Sequence, residues 1–141
     1  MDSVTLDHVG IAVSKIEALL PLYRDGLRLP VLGEEVVEAQ GVKVLKLDAG
    51  GFHIELIEPL SGESPVGKFL AARGEGIHHL CFHVPDAAAF ARTLKERGFR
   101  PLTDAPRPGA SGRSVIFLNP KDAHGVLVEL SSPAAGTPAN A

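Results

Sequence analysis

The chain has a single cysteine, Cys81, in 141 residues. No internal disulfide can form, and such composition fits a reducing compartment. No apolar run approaches membrane-spanning length, and the opening MDSVTLDHV lacks the basic and apolar regions of a signal peptide. A cytoplasmic protein with no membrane partner is therefore expected. Excess positive charge is missing as well: the formal net charge is −3, which leaves no footprint for nucleic acid or an anionic membrane. At this length one core is expected rather than two independent ones.

What the chain does have is histidine at telling places. GIHHLCFHV, residues 76 to 84, holds His78, His79 and His83. Leu80, Phe82 and Val84 alternate with His79, Cys81 and His83, the period of a half-buried strand rather than of a helix. Alternation puts His79 and His83 on one face with Cys81, and His78 on the apolar face with Leu80 and Phe82. Cys81 reads as a small apolar filler on the histidine face.

LDHVGIAV (6 to 13) lies over IHHLCFHV (77 to 84) and matches His8 to His79 at an offset of 71 residues. IEL at 54 to 56 lies over VEL at 128 to 130 and matches Glu55 to Glu129 at an offset of 74. The chain is an internal duplication that singles out one histidine and one glutamate per half.

Each half repeats the same parts. Ser14 with Glu17 reads as a capping box, before an amphipathic helix with the stripe Ile16, Leu19, Leu20, Tyr23 and Leu27, kinked at Pro21. In the second half Asp86 caps a helix carrying Ala87, Phe90, Ala91 and Leu94, ended by Gly98. Strands are expected near 31 to 39, 41 to 48 and 52 to 58, then at 113 to 118 and 125 to 131, with a weaker one near 100 to 104. The fold class is α+β: two tandem βαβββ modules whose curved sheets enclose a metal cleft. The boundaries are a single domain over 1–131, with module one at 4–58, a connector at 59–76 containing a short helix, and module two at 77–131. Residues 132–141, rich in Pro, Ala and Ser, read as a disordered tail.

One sheet face of the modules is apolar and the other carries His8, Glu55, His79 and Glu129. Two imidazoles and two carboxylates suit a borderline divalent ion: cobalt, zinc, manganese, nickel or ferrous iron.

The duplicated module, with histidine on its first strand and glutamate on its last, resembles the vicinal oxygen chelate superfamily. LDHVGIAV, SPVGKFLAARGEGIHHLCF, PRPGASG and FLNPKDAHGVLVEL are similar, in order and spacing, to the methylmalonyl-CoA epimerase family over residues 4 to 131. That resemblance implies an acyl-CoA substrate whose α-proton is removed to give an enolate and returned on the opposite face. It implies a divalent metal, cobalt foremost, held by His8, His79 and Glu129, with Glu129 also a catalytic base. The family's glutamine ligand is replaced here by Glu55, and its other glutamate base, aligned through QGVKVLKL, by Val44. Glu55 is accordingly expected to serve as both fourth ligand and second catalytic base. A homodimer is the default assembly.

Glu38, Glu58 and Lys46 read as solvated strand-edge charges, His53 and His83 as groups behind the ligands or at the surface, and His124 as a turn residue. Lys68, Arg73, Arg107, Arg113 and Lys121 are undifferentiated candidates for the coenzyme A phosphates. Other enzymes of the superfamily, a glyoxalase-like lyase or a dioxygenase, are the alternatives. The dioxygenases usually carry twice as many modules. A non-catalytic small-molecule binding protein is a third possibility, and such members usually lack the ligand set found here.

Overall fold

The computed structural model describes residues 3–134. They divide into two compact units, His8–His78 and one that joins the start of the chain up to Asp7 to the residues from His79 onward. The strands are β1 (Thr5–Ala12), β2 (Val31–Val37), β3 (Val42–Asp48), β4 (His53–Pro59), β5 (Gly76–His83), β6 (Arg107–Pro108), β7 (Ser114–Phe117) and β8 (Val128–Ser132). The helices are α1 (Pro65–Arg73) and α2 (Ala87–Glu96).

The first unit has the strand order β2-β3-β4-β1, with β1 parallel to β4 and the other pairs antiparallel. The second has β6-β7-β8-β5, with β5 parallel to β8 and the rest antiparallel. The topology thus repeats, as an α+β fold built by duplication requires. In each unit the first strand closes onto the last strand of its own module.

The first unit's core is Val13, Ile16, Leu45, Leu47 and Leu56, with Leu19, Leu20 and Tyr23 packed against it. These include most of the expected helical stripe, but the helix itself differs. A 3-10 turn, Ile16–Leu19, leads into a wide π-type turn, Pro21–Gly26. Pro21 has no N–H to give to an α-helical ladder, and the Leu27 N–H reaches back five residues to the Leu22 carbonyl at 2.8 Å. The altered pitch leaves Leu27 57% exposed, outside the stripe. The Ser14–Glu17 capping box does not form. The Ile16 N–H donates instead to Glu58 Oε1 at 2.9 Å, and the Ser14 N–H to Glu75 Oε1 at 2.9 Å. Glu58 is therefore a half-buried cap, not a solvated edge charge.

In the second unit α2 packs Ala87 and Ala91 against Val84, Ile116, Leu118 and Leu130, with Phe90 and Leu94 alongside. Asp86 caps it as expected, accepting from the Ala89 N–H at 3.1 Å. The strand expected near 100 to 104 is replaced by a single bridge, Pro101 to Leu118, and β7 takes Arg107–Pro108 as its partner instead. Pro101 cannot donate to a ladder, and Arg100 is spent on Asp122, to which its backbone N–H, Nε and Nη2 all donate at 2.8–3.0 Å. Those bonds hold the Asp122 carboxyl below its ordinary range and raise Arg100. β8 runs through Ser132, one residue past the expected boundary, and Ser132 Oγ accepts from the Ala87 N–H at 3.0 Å. Residues 135–141 of the expected tail lie outside the described residues.

The connector holds α1, capped by Ser64 Oγ accepting from the Gly67 N–H at 3.1 Å. Gly67 is buried, and a Cβ there would collide with the Ser61 carbonyl oxygen and the Gly62 backbone. Among the described residues, no helix is long and apolar enough to cross a membrane.

Candidate metal centre

Strand register decides which side chains share a face. Along the β1–β4 ladder His8 lies opposite His53 and Gly10 opposite Glu55. Along β5–β8, Cys81 lies opposite Glu129. Gly10 and Cys81 are repeat mates, so each glutamate sits beside a small residue and diagonal to the histidine two positions before it. Both units build the same motif from the same register.

The motifs close into contacts. His8 Nδ1 is 3.2 Å from Glu55 Oε2, and His79 Nε2 is 3.0 Å from Glu129 Oε1. All four residues are buried, His8, His79 and Glu129 to 5% exposure and Glu55 to 4%. Phe117, opposite Glu129 on β7, meets the His79 ring edge-on at 5.8 Å. Strand alternation is responsible: the four residues fall on the face opposite the helices, where Leu45, Leu56 and Leu130 do not reach.

His53 carries more than its sequence pattern indicates. Its Nε2 lies 2.8 Å from Glu55 Oε2, and its ring centroid is 5.0 Å from that of His8, tilted by 32°. His8, His53 and Glu55 each offer a ligand atom, and these lie within 4.8 Å of one another. Burying a carboxylate is costly without a compensating positive partner. Imidazole nitrogens and carboxylate oxygens, buried and convergent, are the donor set a borderline divalent cation takes. The residues present fit a divalent metal.

Other histidines fall away from these pairs. His83 Nε2 is 3.2 Å from Asp7 Oδ1 and half-buried. His78 packs edge-on against Phe69 of α1 at 4.8 Å, on the side its alternation assigns. His124 sits in a turn with φ of 56°. Cys81 is fully buried, in keeping with a small filler beside Glu129.

Lys46 is not a solvated edge charge. It lies opposite Glu55 on the β3–β4 ladder, its side chain only 18% exposed, with Nζ 3.5 Å from Glu35 Oε1. Val44 is 2% exposed, and the residue facing it across the hairpin is Glu35. Sequence reasoning missed Glu35. The β2–β3 hairpin register would have found it, but a bulge between Val31 and Gly33 shifts that register and masks the alternation.

A model of the glyoxalase/bleomycin resistance protein/dioxygenase superfamily matches residues 7–117. An ethylmalonyl-CoA/methylmalonyl-CoA epimerase of Cereibacter sphaeroides is 42% identical over 127 residues, which cover 89% of this chain and 95% of that one. The structure of a variant methylmalonyl-CoA epimerase of Streptomyces coelicolor, in complex with 2-nitronate-propionyl-CoA, is 42% identical with a TM-score of 0.86, covering 94% of this chain and 97% of that one. A hypothetical protein of Bacillus halodurans is 45% identical with a TM-score of 0.90, covering 96% of this chain and 98% of that one.

Proposed function

The chain belongs to the glyoxalase/bleomycin resistance protein/dioxygenase superfamily, and from that premise we propose that it is an isomerase that interconverts the two epimers of methylmalonyl-CoA. The observation that carries this is the pair of buried glutamates, Glu55 and Glu129, at equivalent register positions of the two modules. Inverting a carbon centre through a planar enolate requires a proton acceptor on one face and a donor on the other. A duplicated carboxylate supplies two groups of one chemistry, and relatives about 42% identical over most of the chain act on this substrate by name.

In this reading the two modules work as one domain, and His8, His79, Glu129 and Glu55 hold one divalent ion, cobalt foremost. A divalent cation bound there would supply Lewis-acid stabilisation of the negative charge that develops on the thioester oxygen. Glu129 takes or returns the α-proton at a carboxylate oxygen on one face of the substrate, and Glu55 does so on the other. His53, 2.8 Å from Glu55 Oε2, orients that carboxylate. Burial of all four side chains keeps bulk water from competing for the proton.

The enzyme acts in the cytoplasm as a homodimer. Supporting the dimer, β2, the outermost strand of its unit, exposes Val31, Leu32 and Val36 by 46%, 57% and 49%, an apolar edge of the kind that partners cover. Light scattering at micromolar concentration tests that state.

Proton NMR of methylmalonyl-CoA in heavy water tests the activity: the α-proton signal should wash out with enzyme present. Efficient lactoylglutathione formation from methylglyoxal and glutathione, with no exchange on the CoA ester, would move the chain to the glyoxalases.

A further inference from the structure

Arg113 stands apart from the other basic residues. It directly precedes β7, and its backbone is fixed on both sides: its N–H donates to the Ala110 carbonyl at 3.3 Å, and its carbonyl accepts from the Gly109 N–H at 2.9 Å. The PRPGASG loop thus sets where Arg113 starts the strand. The side chain is half-buried, with Nε donating to Ser131 Oγ at 2.8 Å and Nη2 to the Ser131 carbonyl at 3.3 Å.

Register puts this guanidinium on the face that carries Glu129. Val115 pairs with Ser131 and Phe117 with Glu129, so Arg113, Val115 and Phe117 project on the same side of β7 as Ser131 and Glu129 do on β8. Ser131 is two residues from Glu129, roughly 7 Å along a strand.

Its charge has no counter-ion: among the described residues no carboxylate lies within ion-pair distance of Arg113. A half-buried cation without an anion is costly unless something else supplies one. Ser131 occupies only the Nε–Nη2 edge of the fork, which leaves the Nη1–Nη2 end free to donate two parallel hydrogen bonds. That is the geometry of carboxylate recognition. Lys68, Arg73, Arg107 and Lys121 have no such preparation: all four are exposed.

We propose that Arg113 binds the free carboxylate of the acyl group, making it the residue that selects a carboxylated acyl-CoA over a plain one. This deepens the methylmalonyl-CoA reading and rests on it. A second role follows from charge. Removing the α-proton adds negative charge next to an existing carboxylate, and a fixed guanidinium offsets that repulsion as it builds.

The test measures dissociation constants of the metal-loaded protein by calorimetry, for methylmalonyl-CoA, propionyl-CoA and coenzyme A, in wild type, Arg113→Gln and Arg113→Lys. Propionyl-CoA lacks only the carboxylate. Wild type should prefer methylmalonyl-CoA, and Arg113→Gln should cut that preference about tenfold or more, the scale of hydrogen bonds to a charged group, with the other two constants unchanged. Arg113→Lys should fold as wild type by circular dichroism and recover part of the preference. Equal weakening of all three ligands would place the guanidinium on a coenzyme A phosphate and overturn the assignment, as would a preference unchanged in both variants. A wild-type protein that neither binds nor exchanges methylmalonyl-CoA would instead remove the functional reading beneath it.

Discussion

Gly10 faces Glu55 across the parallel β1–β4 ladder, as Cys81 faces Glu129 across β5–β8. The small residue leaves room beside each carboxylate, so Glu55 leans to His8 and Glu129 to His79, each two positions before that small residue. Both pairs are therefore expected to answer alike to substitution.

His8→Ala and His79→Ala should each strip most of the bound metal, with the far-ultraviolet spectrum unchanged. His78→Ala, whose ring lies against Phe69, should leave it in place. Elemental analysis of the purified variants decides, and full occupancy in both ligand variants would refute the proposed set.

Removing a group that only orients a ligand is milder. His53→Ala should weaken metal affinity by about 10- to 100-fold, the usual cost of losing an outer partner, and less than His8→Ala does. Competition against a fluorescent chelator measures both; equal losses would make His53 a ligand in its own right.

Glu55→Gln keeps the shape and an oxygen ligand but removes the base. Metal should remain while inversion falls by at least about a hundredfold, the lower end of what acid–base catalysis contributes. One epimer should still exchange its α-proton with heavy water through Glu129, and the other should not. Inversion at the wild-type rate would put the second proton carrier elsewhere, with the Glu35–Lys46 pair next to Val44 the first place to look.

Glu58→Ala removes the acceptor for the Ile16 N–H and should cost about 1 kcal/mol, as loss of a helix cap does. Glu58→Gln keeps an acceptor and should cost less. Gly67→Ala places a methyl against the Ser61 carbonyl and should cost about 1–3 kcal/mol. Urea midpoints at constant slope check both.

The histidine–glutamate pairs were legible because duplication wrote each twice, and the main strands because alternation survives in β1, β4, β5 and β8. The first helix was not: its pitch depends on Pro21, and its cap comes from Glu58, which lies 42 residues from Ile16 in sequence. Lys46 and Glu35 were hidden because local alternation cannot say which face of an outer hairpin turns inward until its bulge is placed. Arg113 was visible only as one basic residue among five. What separates it is a hydrogen bond to Ser131, 18 residues away.

Pairing the first strand of each module with its last has a kinetic side. His8 and Glu55, like His79 and Glu129, are separated by roughly fifty residues, and a loop of that length must close before either pair exists. Such distant contacts slow folding. During synthesis each half emerges with its histidine long before its glutamate, so neither half can present a buried carboxylate to an ion until its final strand has docked. In the proposed site, which draws its four ligands from both modules, ion capture thereby follows the folding of both rather than starting it.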